Sequence, residues 1–237
     1  SAQKKNESRL KQARQEAEQA SEAKSRFLAT MSHEIRSPLN AIIAMTDMLL
    51  ESELNAEQQE LAQVASQGGH TLMALINNIL DFSKIESDHL VLQQDWFSLQ
   101  QTAEAVVTLL APQAMQKNIT LCLVLDPDLR ESYYGDPLRI SQVLINLISN
   151  AIKFTEHGGV RITIAIKRQN GIDIQVKDTG IGISAADQQH IFSEFVQAES
   201  SSNRRFGGSG LGLAISQRII ALMQGSIEVS STLNLGS

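Results

Sequence analysis

Four groups of residues in this chain have the types and spacing to do chemistry. The first is a histidine beside a carboxylate, His33-Glu34, within Phe27-Leu-Ala-Thr-Met-Ser-His-Glu-Ile-Arg-Ser-Pro-Leu39. An imidazole is partly neutral near pH 7, so its lone pair can attack phosphorus. The neighbouring carboxylate can take or share the proton on the other ring nitrogen, which raises the nucleophilicity of the free one. The second group is Asn146, Asn150 and Lys153, which share one face of a helix. An amide oxygen suits Mg²⁺ and a lysine brings charge to phosphate, so this face suits a metal–triphosphate site. The third is Asp178-Thr-Gly-Ile-Gly-Ile183. Gly180 and Gly182 let backbone approach a flat base closely, and the Asp178 carboxylate can accept a hydrogen bond from its amino group. Taken alone, Asp178-Thr-Gly180 also fits a plain turn. The fourth is Gly207, Gly208, Gly210 and Gly212 at the start of a helix, where backbone N–H groups make an anion site. Between the last two groups, residues 197–206 are polar and hold Arg204 and Arg205. They read as a lid whose arginine reaches a terminal phosphate.

These groups need elements to position them. There is no glycine before Gly68, and Pro38 is the only proline there, whereas most of the fourteen glycines lie between Gly158 and Gly212. The first third therefore reads as long helix and the last half as a mixed α/β domain with glycine-rich loops. Residues 1–26 are rich in helix formers and read as either a weak two-stranded coiled coil or a solvated single helix. Phe27, Met31, Ile35, Pro38, Ile42, Met45 and Leu49 fall in one stripe about 80° wide at 100° per residue. His33 lies about 200° from the centre of that stripe, with Ser37 and Asn40 within about 40° of it, so it faces solvent. Pro38 is expected to kink the helix just after His33. A turn at residues 51–56 leads to a second periodic stretch reaching about Glu86. Its apolar face is Leu61, Val64, Ala65, Gly68, Leu72, Leu75, Ile76, Ile79 and Phe82. A two-helix hairpin cannot bury both faces alone, and pairing two copies into a four-helix bundle is the economical solution.

The pattern breaks at residues 87–95, where the domain boundary is placed. Beyond it the sequence predicts a strand near Leu90–Gln93, a helix near Ser98–Lys117 and a strand at Ile119–Leu125. A helix from Pro137 to about Phe154 follows, then strands at Val160–Lys167 and Ile172–Lys177 joined around Gln169-Asn-Gly171. A helix from about Gly210 to Met223 and a strand from Ser226 complete the reading. The expected organisation is a helical signal linker (1–26), a dimerisation and phosphotransfer domain (27–88) and a nucleotide domain (89–237), the last ending before its final β element.

Composition narrows the function further. The 237 residues carry a net charge of −6, which argues against a broad nucleic-acid surface. No apolar run approaches the roughly 18–20 residues that span a bilayer. The single cysteine, Cys122, allows no internal disulfide and fits a reducing, cytoplasmic setting. It sits in an apolar run and reads as a small buried hydrophobe. His70, His89, His157 and His190 show no metal-like spacing.

The His33 segment, Asp136-Pro-Leu-Arg-Ile-Ser-Gln-Val-Leu-Ile-Asn-Leu-Ile-Ser-Asn-Ala-Ile-Lys-Phe-Thr155, the Asp178 segment with Ile191-Phe-Ser-Glu-Phe195, and Gly207-Gly-Ser-Gly-Leu-Gly-Leu213 occur in that order. Together they resemble the H, N, G1, F and G2 boxes of the sensor histidine kinases of two-component signalling, over residues 27–236. The resemblance implies an α+β chain: a helical hairpin forming a dimeric four-helix bundle, then an α/β-sandwich ATP-binding domain of the histidine kinase, gyrase and chaperone ATPase type. It implies a protein histidine kinase using ATP and Mg²⁺, with His33 as phosphoacceptor and Glu34 as its proton acceptor. It assigns Asn150 to Mg²⁺, Asn146 to the same ion's surroundings, Lys153 to the phosphates and Asp178 to adenine. Gly180, Gly182, Gly208, Gly210, Leu211 and Gly212 join the nucleotide site, with Arg204 favoured over Arg205 for the phosphate. Phe192 and Phe195 read as anchors of the lid or as purely structural residues, with Phe195 counted in the nucleotide site. It implies transfer from His33 to an aspartate of a response-regulator receiver domain. Ser37 stands where the family usually has Thr or Asn, and there it would align water to dephosphorylate the regulator. The implied setting is cytoplasmic for this part, without nucleic acid or direct membrane contact, in a parent anchored in the bacterial inner membrane.

Two rivals remain open on sequence. One is a gyrase- or chaperone-type ATPase, but those use a glutamate to activate water where this chain has Asn146, and an amide is a poor base. The other is a nucleotide-binding scaffold that dimerises without catalysis.

Overall fold

The computed structural model describes residues 2–86, 90–167, 171–193, 196 and 210–237. The chain divides into two compact units, residues 1–90 and 91–237.

The first unit is a helical hairpin. Helix α1, Ala2–Leu50, runs 49 residues with Pro38 inside it. Its length follows from an Ala-, Glu-, Gln-, Lys- and Arg-rich sequence free of glycine. It ends at Glu51 and Ser52, where the Ser52 hydroxyl donates to the Leu49 carbonyl at 2.7 Å. Helix α2, Ala56–Glu86, opens on a reciprocal cap. The Gln58 N–H donates to Asn55 Oδ1 at 2.9 Å, and the Asn55 N–H donates to Gln58 Oε1 at 3.1 Å. The helices meet through Leu39, Ile43 and Ile76, with Met73 against them. The α1 face towards α2 also carries buried Ser32 and Thr46. The stripe from Phe27 to Leu49 lies on the outside of the hairpin, where all seven residues are exposed. Leu61, Val64, Leu72 and Ile79 of α2 are exposed as well.

The second unit is a layered α/β domain. Strand β1, Asp95–Phe97, pairs antiparallel with β3, Tyr133–Gly135. Strands β2 (Thr120–Leu125), β4 (Gly159–Lys167) and β5 (Gly171–Asp178) form a sheet of order β2-β4-β5. β2 runs parallel to β4, and β5 runs antiparallel to it. Helices α3 (Leu99–Gln116) and α4 (Pro137–Phe154) supply the opposing layer. The core shows both periods at once: Leu99, Ala103, Val106 and Leu110 at helical spacing, and Val160, Ile162 and Ile164 at strand spacing. A short helix α5, Ala185–Gln188, and a longer α6, Gly212–Leu222, complete the unit.

Three expectations are corrected. The first strand falls at Asp95–Phe97 rather than 90–93, because its partner is β3, which the sequence reading did not predict. Helix α6 starts at Gly212, not Gly210, whose φ of +69° takes it out of helix. The segment from Ser226 forms no regular strand, and only an isolated bridge joins Thr232 to Gly236. A strand exists by pairing, and no ladder partner lies beside 226–230 among the described residues.

Candidate functional site

In the first unit, α1 presents His33, Glu34 and Ser37 on its exposed surface, as the helical wheel requires. Asn40 is exposed one turn along, and Ser32, directly before the histidine, is buried. One turn of helix therefore places an imidazole, a carboxylate and a hydroxyl in water. Arg36 crosses to α2 and donates to Asn77 Oδ1 at 3.0 Å, tying this turn to the second helix. Among the described residues no group of His, Cys, Asp and Glu is arranged to hold a metal ion.

In the second unit, α4 carries Asn146, Asn150 and Lys153. The helix is fixed at its start by buried Asp136, whose carboxylate accepts from the Arg139 N–H at 3.0 Å and the Gln93 N–H at 2.9 Å. Asn150 Nδ2 donates to Asn146 Oδ1 at 3.3 Å, and Asn146 Nδ2 donates to the Ser216 hydroxyl of α6 at 2.9 Å. This chain of amides turns the Asn150 Nδ2 group towards Asn146 and joins α4 to α6. Gly212 completes the join: a Cβ there would collide with the Asn146 amide. The second and fourth sequence clusters thus meet, and Gly212 is small because Asn146 occupies the space beside it. Lys153 Nζ lies 5.0 Å from the centre of the Phe154 ring. Desolvation lowers its pKa from 10.5, and the nearby Lys117 charge lowers it further.

Asp178 ends β5 and is buried. Its Oδ1 accepts from the Gly180 N–H at 2.7 Å, and burial raises its pKa from 3.8. Gly180 is wedged against α4, where a Cβ would sit 2.5 Å from the Phe154 carbonyl oxygen. Gly182 has a φ of +67°, and a Cβ there would strike the Thr232 carbonyl. The loop after β5 is held from both sides. The Ile181 N–H donates to the Phe154 carbonyl at 3.3 Å, and the Ile181 carbonyl accepts from the Asn234 N–H at 2.7 Å. Thr179 adds a third tie, donating its hydroxyl hydrogen to the His157 carbonyl at 2.9 Å and accepting from the Gly159 N–H at 3.0 Å.

Leu211, the N-cap residue of α6, is buried, so its side chain is a core anchor and only its backbone could meet a ligand. Phe195, Arg204, Arg205, Gly207 and Gly208 lie outside the described residues. Sequence reading missed Ser216 and Lys117 and gave Thr179 no role within its motif. Each acts on a residue distant in the chain, which no local pattern shows.

Residues 23–88 match the family model of the His Kinase A (phospho-acceptor) domain, and residues 135–237 match that of the histidine kinase-, DNA gyrase B-, and HSP90-like ATPase. The chain is 42% identical over 229 residues to the signal transduction histidine-protein kinase BarA of Escherichia coli (strain K12), covering 95% of this chain and 25% of that protein. The chain belongs to the sensor histidine kinases. It carries their catalytic core: phosphoacceptor domain, then ATPase domain. The sensor histidine kinase GacS of Pseudomonas protegens is 44% identical over 229 residues, again 95% of this chain and 25% of that one. The chain thus spans about a quarter of the length of these curated relatives. Among solved structures, full-length ShkA in complex with AMPPNP aligns with a TM-score of 0.73 at 33% identity, over 88% of this chain and 43% of ShkA. The histidine kinase ThkA in complex with the response regulator protein TrrA aligns with a TM-score of 0.58 at 27% identity, over 88% of this chain and 57% of ThkA. The phosphoacceptor match also separates this histidine kinase core from the gyrase-type ATPase reading, which has no counterpart to the His33 region.

Proposed function

We propose that this kinase core phosphorylates His33 from ATP and then passes the phosphoryl group to an aspartate of a response-regulator receiver domain. The observation that carries the reading is the amide at position 146. In the same chain as an exposed histidine, the ATPase domain sets Asn146 and Asn150 side by side with no carboxylate base between them. An amide cannot activate water, so the γ-phosphoryl group is directed to another nucleophile. An imidazole nitrogen of His33 forms the N–P bond as the bond from phosphorus to the β,γ-bridging oxygen breaks and ADP leaves. Glu34 takes or shares the proton on the other ring nitrogen. In the second step an aspartate oxygen takes the phosphoryl group, the N–P bond breaks, and the imidazole regains its proton. Ser37, four residues from His33, is poised to align water for regulator dephosphorylation.

For the nucleotide, Asp178 accepts from the adenine amino group, Gly180 and Gly182 let the loop beside the base pack tightly against the Phe154 and Thr232 carbonyls, and Lys153 faces the phosphates. Gly208, Gly210 and the start of α6 supply backbone N–H groups, and Phe195 and Arg204 are proposed for the lid. The residues fit Mg²⁺: Asn150 has its amide NH₂ committed to Asn146, and an amide oxygen is a hard ligand of the kind Mg²⁺ prefers. When bound, the ion would neutralise charge on the phosphates. Asn146 is the weaker ligand, because its oxygen already accepts from Asn150.

The exposed stripes of α1 and α2 support a homodimer in which two hairpins make a four-helix bundle. Residues 1–26 would then carry a signal into 27–88, with 89–237 as the ATP-binding domain. None of the described helices is long and apolar enough to cross a membrane. A cytoplasmic place for this segment and a membrane anchor elsewhere in its parent are part of the same proposal.

The test is incubation with Mg²⁺ and γ-labelled ATP, followed by a search for acid-labile, alkali-stable label. Label should disappear in His33→Ala, in Asn150→Ala and without Mg²⁺. Label persisting in His33→Ala would overturn the phosphoacceptor. Nucleotide binding without label would favour the scaffold reading.

A further inference from the structure

From the contacts at the end of α4, we infer that Lys117 is a positioning residue for the nucleotide site, acting through that helix terminus. The inference rests on the nucleotide reading of the second unit. The last four carbonyls of an α-helix have no partner within it. In α4 each has one. The Ala151 carbonyl accepts from the Thr155 N–H at 3.1 Å and the Thr155 hydroxyl at 2.7 Å. The Ile152 and Lys153 carbonyls accept from Lys117 Nζ at 2.8 and 2.6 Å. The Phe154 carbonyl accepts from the Ile181 N–H at 3.3 Å. Lys117 also reaches the Thr155 carbonyl at 3.3 Å.

An ammonium has three N–H donors, and these three carbonyls can use all of them. Lys117 is therefore committed to backbone rather than to a phosphate. Its charge also sits where the helix dipole is negative. The chain aims it there deliberately: α3 stops at Lys117, and Asn118, with a φ of +55°, turns the backbone sharply into β2. The neighbouring Phe154 carbonyl is the surface on which the loop after β5 rests, through the Ile181 N–H and the Cβ-free face of Gly180. One lysine thus fixes the end of the helix that carries Asn146, Asn150 and Lys153 and, one residue on, the abutment of the Asp178–Gly182 loop. The elements proposed for phosphates and for adenine are held in register from a single point outside both.

The test uses the whole chain with Lys117→Met and Lys117→Arg, read two ways. Affinity for a fluorescent ATP analogue should fall about tenfold in Lys117→Met, equivalent to ~1.4 kcal/mol. It should recover substantially in Lys117→Arg, which keeps the charge and the donors. Amide hydrogen exchange without nucleotide should speed up at Ile181 in Lys117→Met while Ile162 and Ile164 in β4 stay protected. Affinity within twofold of the wild type would overturn the inference. So would unchanged exchange at Ile181, or exchange that rises equally in β4, since that would be loss of stability at large. If the wild type itself fails to bind the analogue, the nucleotide reading falls. The exchange pattern at Ile181 still judges what Lys117 holds.

Discussion

Burial pushes the Asp178 carboxyl above its ordinary value of 3.8, against the smaller opposing pulls of the Gly180 and Ser237 backbone N–H groups. A carboxyl whose folded-state pKa is raised gives its full contribution to stability below the unfolded value and loses it as pH rises through the folded one. At neutral pH the charged Asp178 therefore costs stability. Asp178→Asn keeps an oxygen for the Gly180 N–H and removes the buried charge. The nucleotide-free variant should melt above the wild type at pH 7, by about 2–4 °C for each kcal/mol recovered, and the difference should shrink towards pH 4. Adenine should suffer the opposite fate. With the Asn oxygen held by Gly180, its NH₂ group faces the adenine amino group, donor against donor, and affinity for ATP should fall at least tenfold. Thermal melts at the two pH values and a nucleotide titration check both halves. A variant that is less stable at pH 7 would contradict the burial argument. Asp178 could be singled out in the sequence because its chemistry is local: an acid, a strand end and two glycines. Lys117 could not, because the carbonyls it meets are 35 and more residues away and carry no side-chain signature.

At the scale of elements, Gly68 and Gly69 are adjacent in α2 and meet different surroundings. A Cβ on Gly68 has nothing within 4 Å in the hairpin, whereas one on Gly69 would sit 2.7 Å from Ile43 Cγ1. Gly69 sets how closely α2 approaches α1 beside the small Leu39, Ile43 and Ile76 core. Gly69→Val should therefore destabilise the hairpin by about 1–3 kcal/mol through overpacking. Ile43→Ala alone should cost a cavity. In the double variant the new methyl groups fill that space, so the two losses should sum to less than their separate values. Chemical denaturation of the four proteins gives the coupling, and strict additivity would mean the helices do not meet there. The same scale shows which elements sequence reading could reach. Helix α4 could be bounded at Pro137 and Phe154 because Pro137 and the apolar period lie within it and the Asp136 cap lies directly before it. Strand β3 has three residues and exists because Trp96 lies opposite Tyr134, their rings 5.5 Å apart, a pairing no local window contains. The segment from Ser226 has strand-like composition and no ladder partner among the described residues, so propensity alone misled there.

At the scale of the whole molecule the open matter is what covers the hairpin. Its outer faces expose Phe27, Met45, Met48, Leu61 and Val64, with Met45 and Val64 each 67% accessible. Single exposed apolar side chains are ordinary, but these recur at helical spacing along both helices, as an interface does. A second hairpin is the occupant we propose, because identical stripes are self-complementary about a two-fold axis. The chain of 26.0 kDa should then sediment at twice that mass at micromolar concentration. Met45→Asp and Val64→Asp distinguish this from a solvated face. On a monomer surface such changes stay within about 0.5 kcal/mol and leave mass and melting temperature alone. Across a packed bundle each places two carboxylates, one per copy, in an apolar seam. That costs several kcal/mol, and the double variant should run as a monomer. Nucleotide affinity supplies the internal control, since every residue proposed for the ATP site lies in the second unit, and it should be unchanged. If the double variant kept the dimer mass, the stripe would not be the contact. If it became monomeric and still labelled His33 at the wild-type rate, a lone chain could bring its own nucleotide to its own histidine. Loss of label together with loss of the dimer, at unchanged affinity, is the expected result. It would make the bundle part of the phosphoacceptor rather than a platform beneath it.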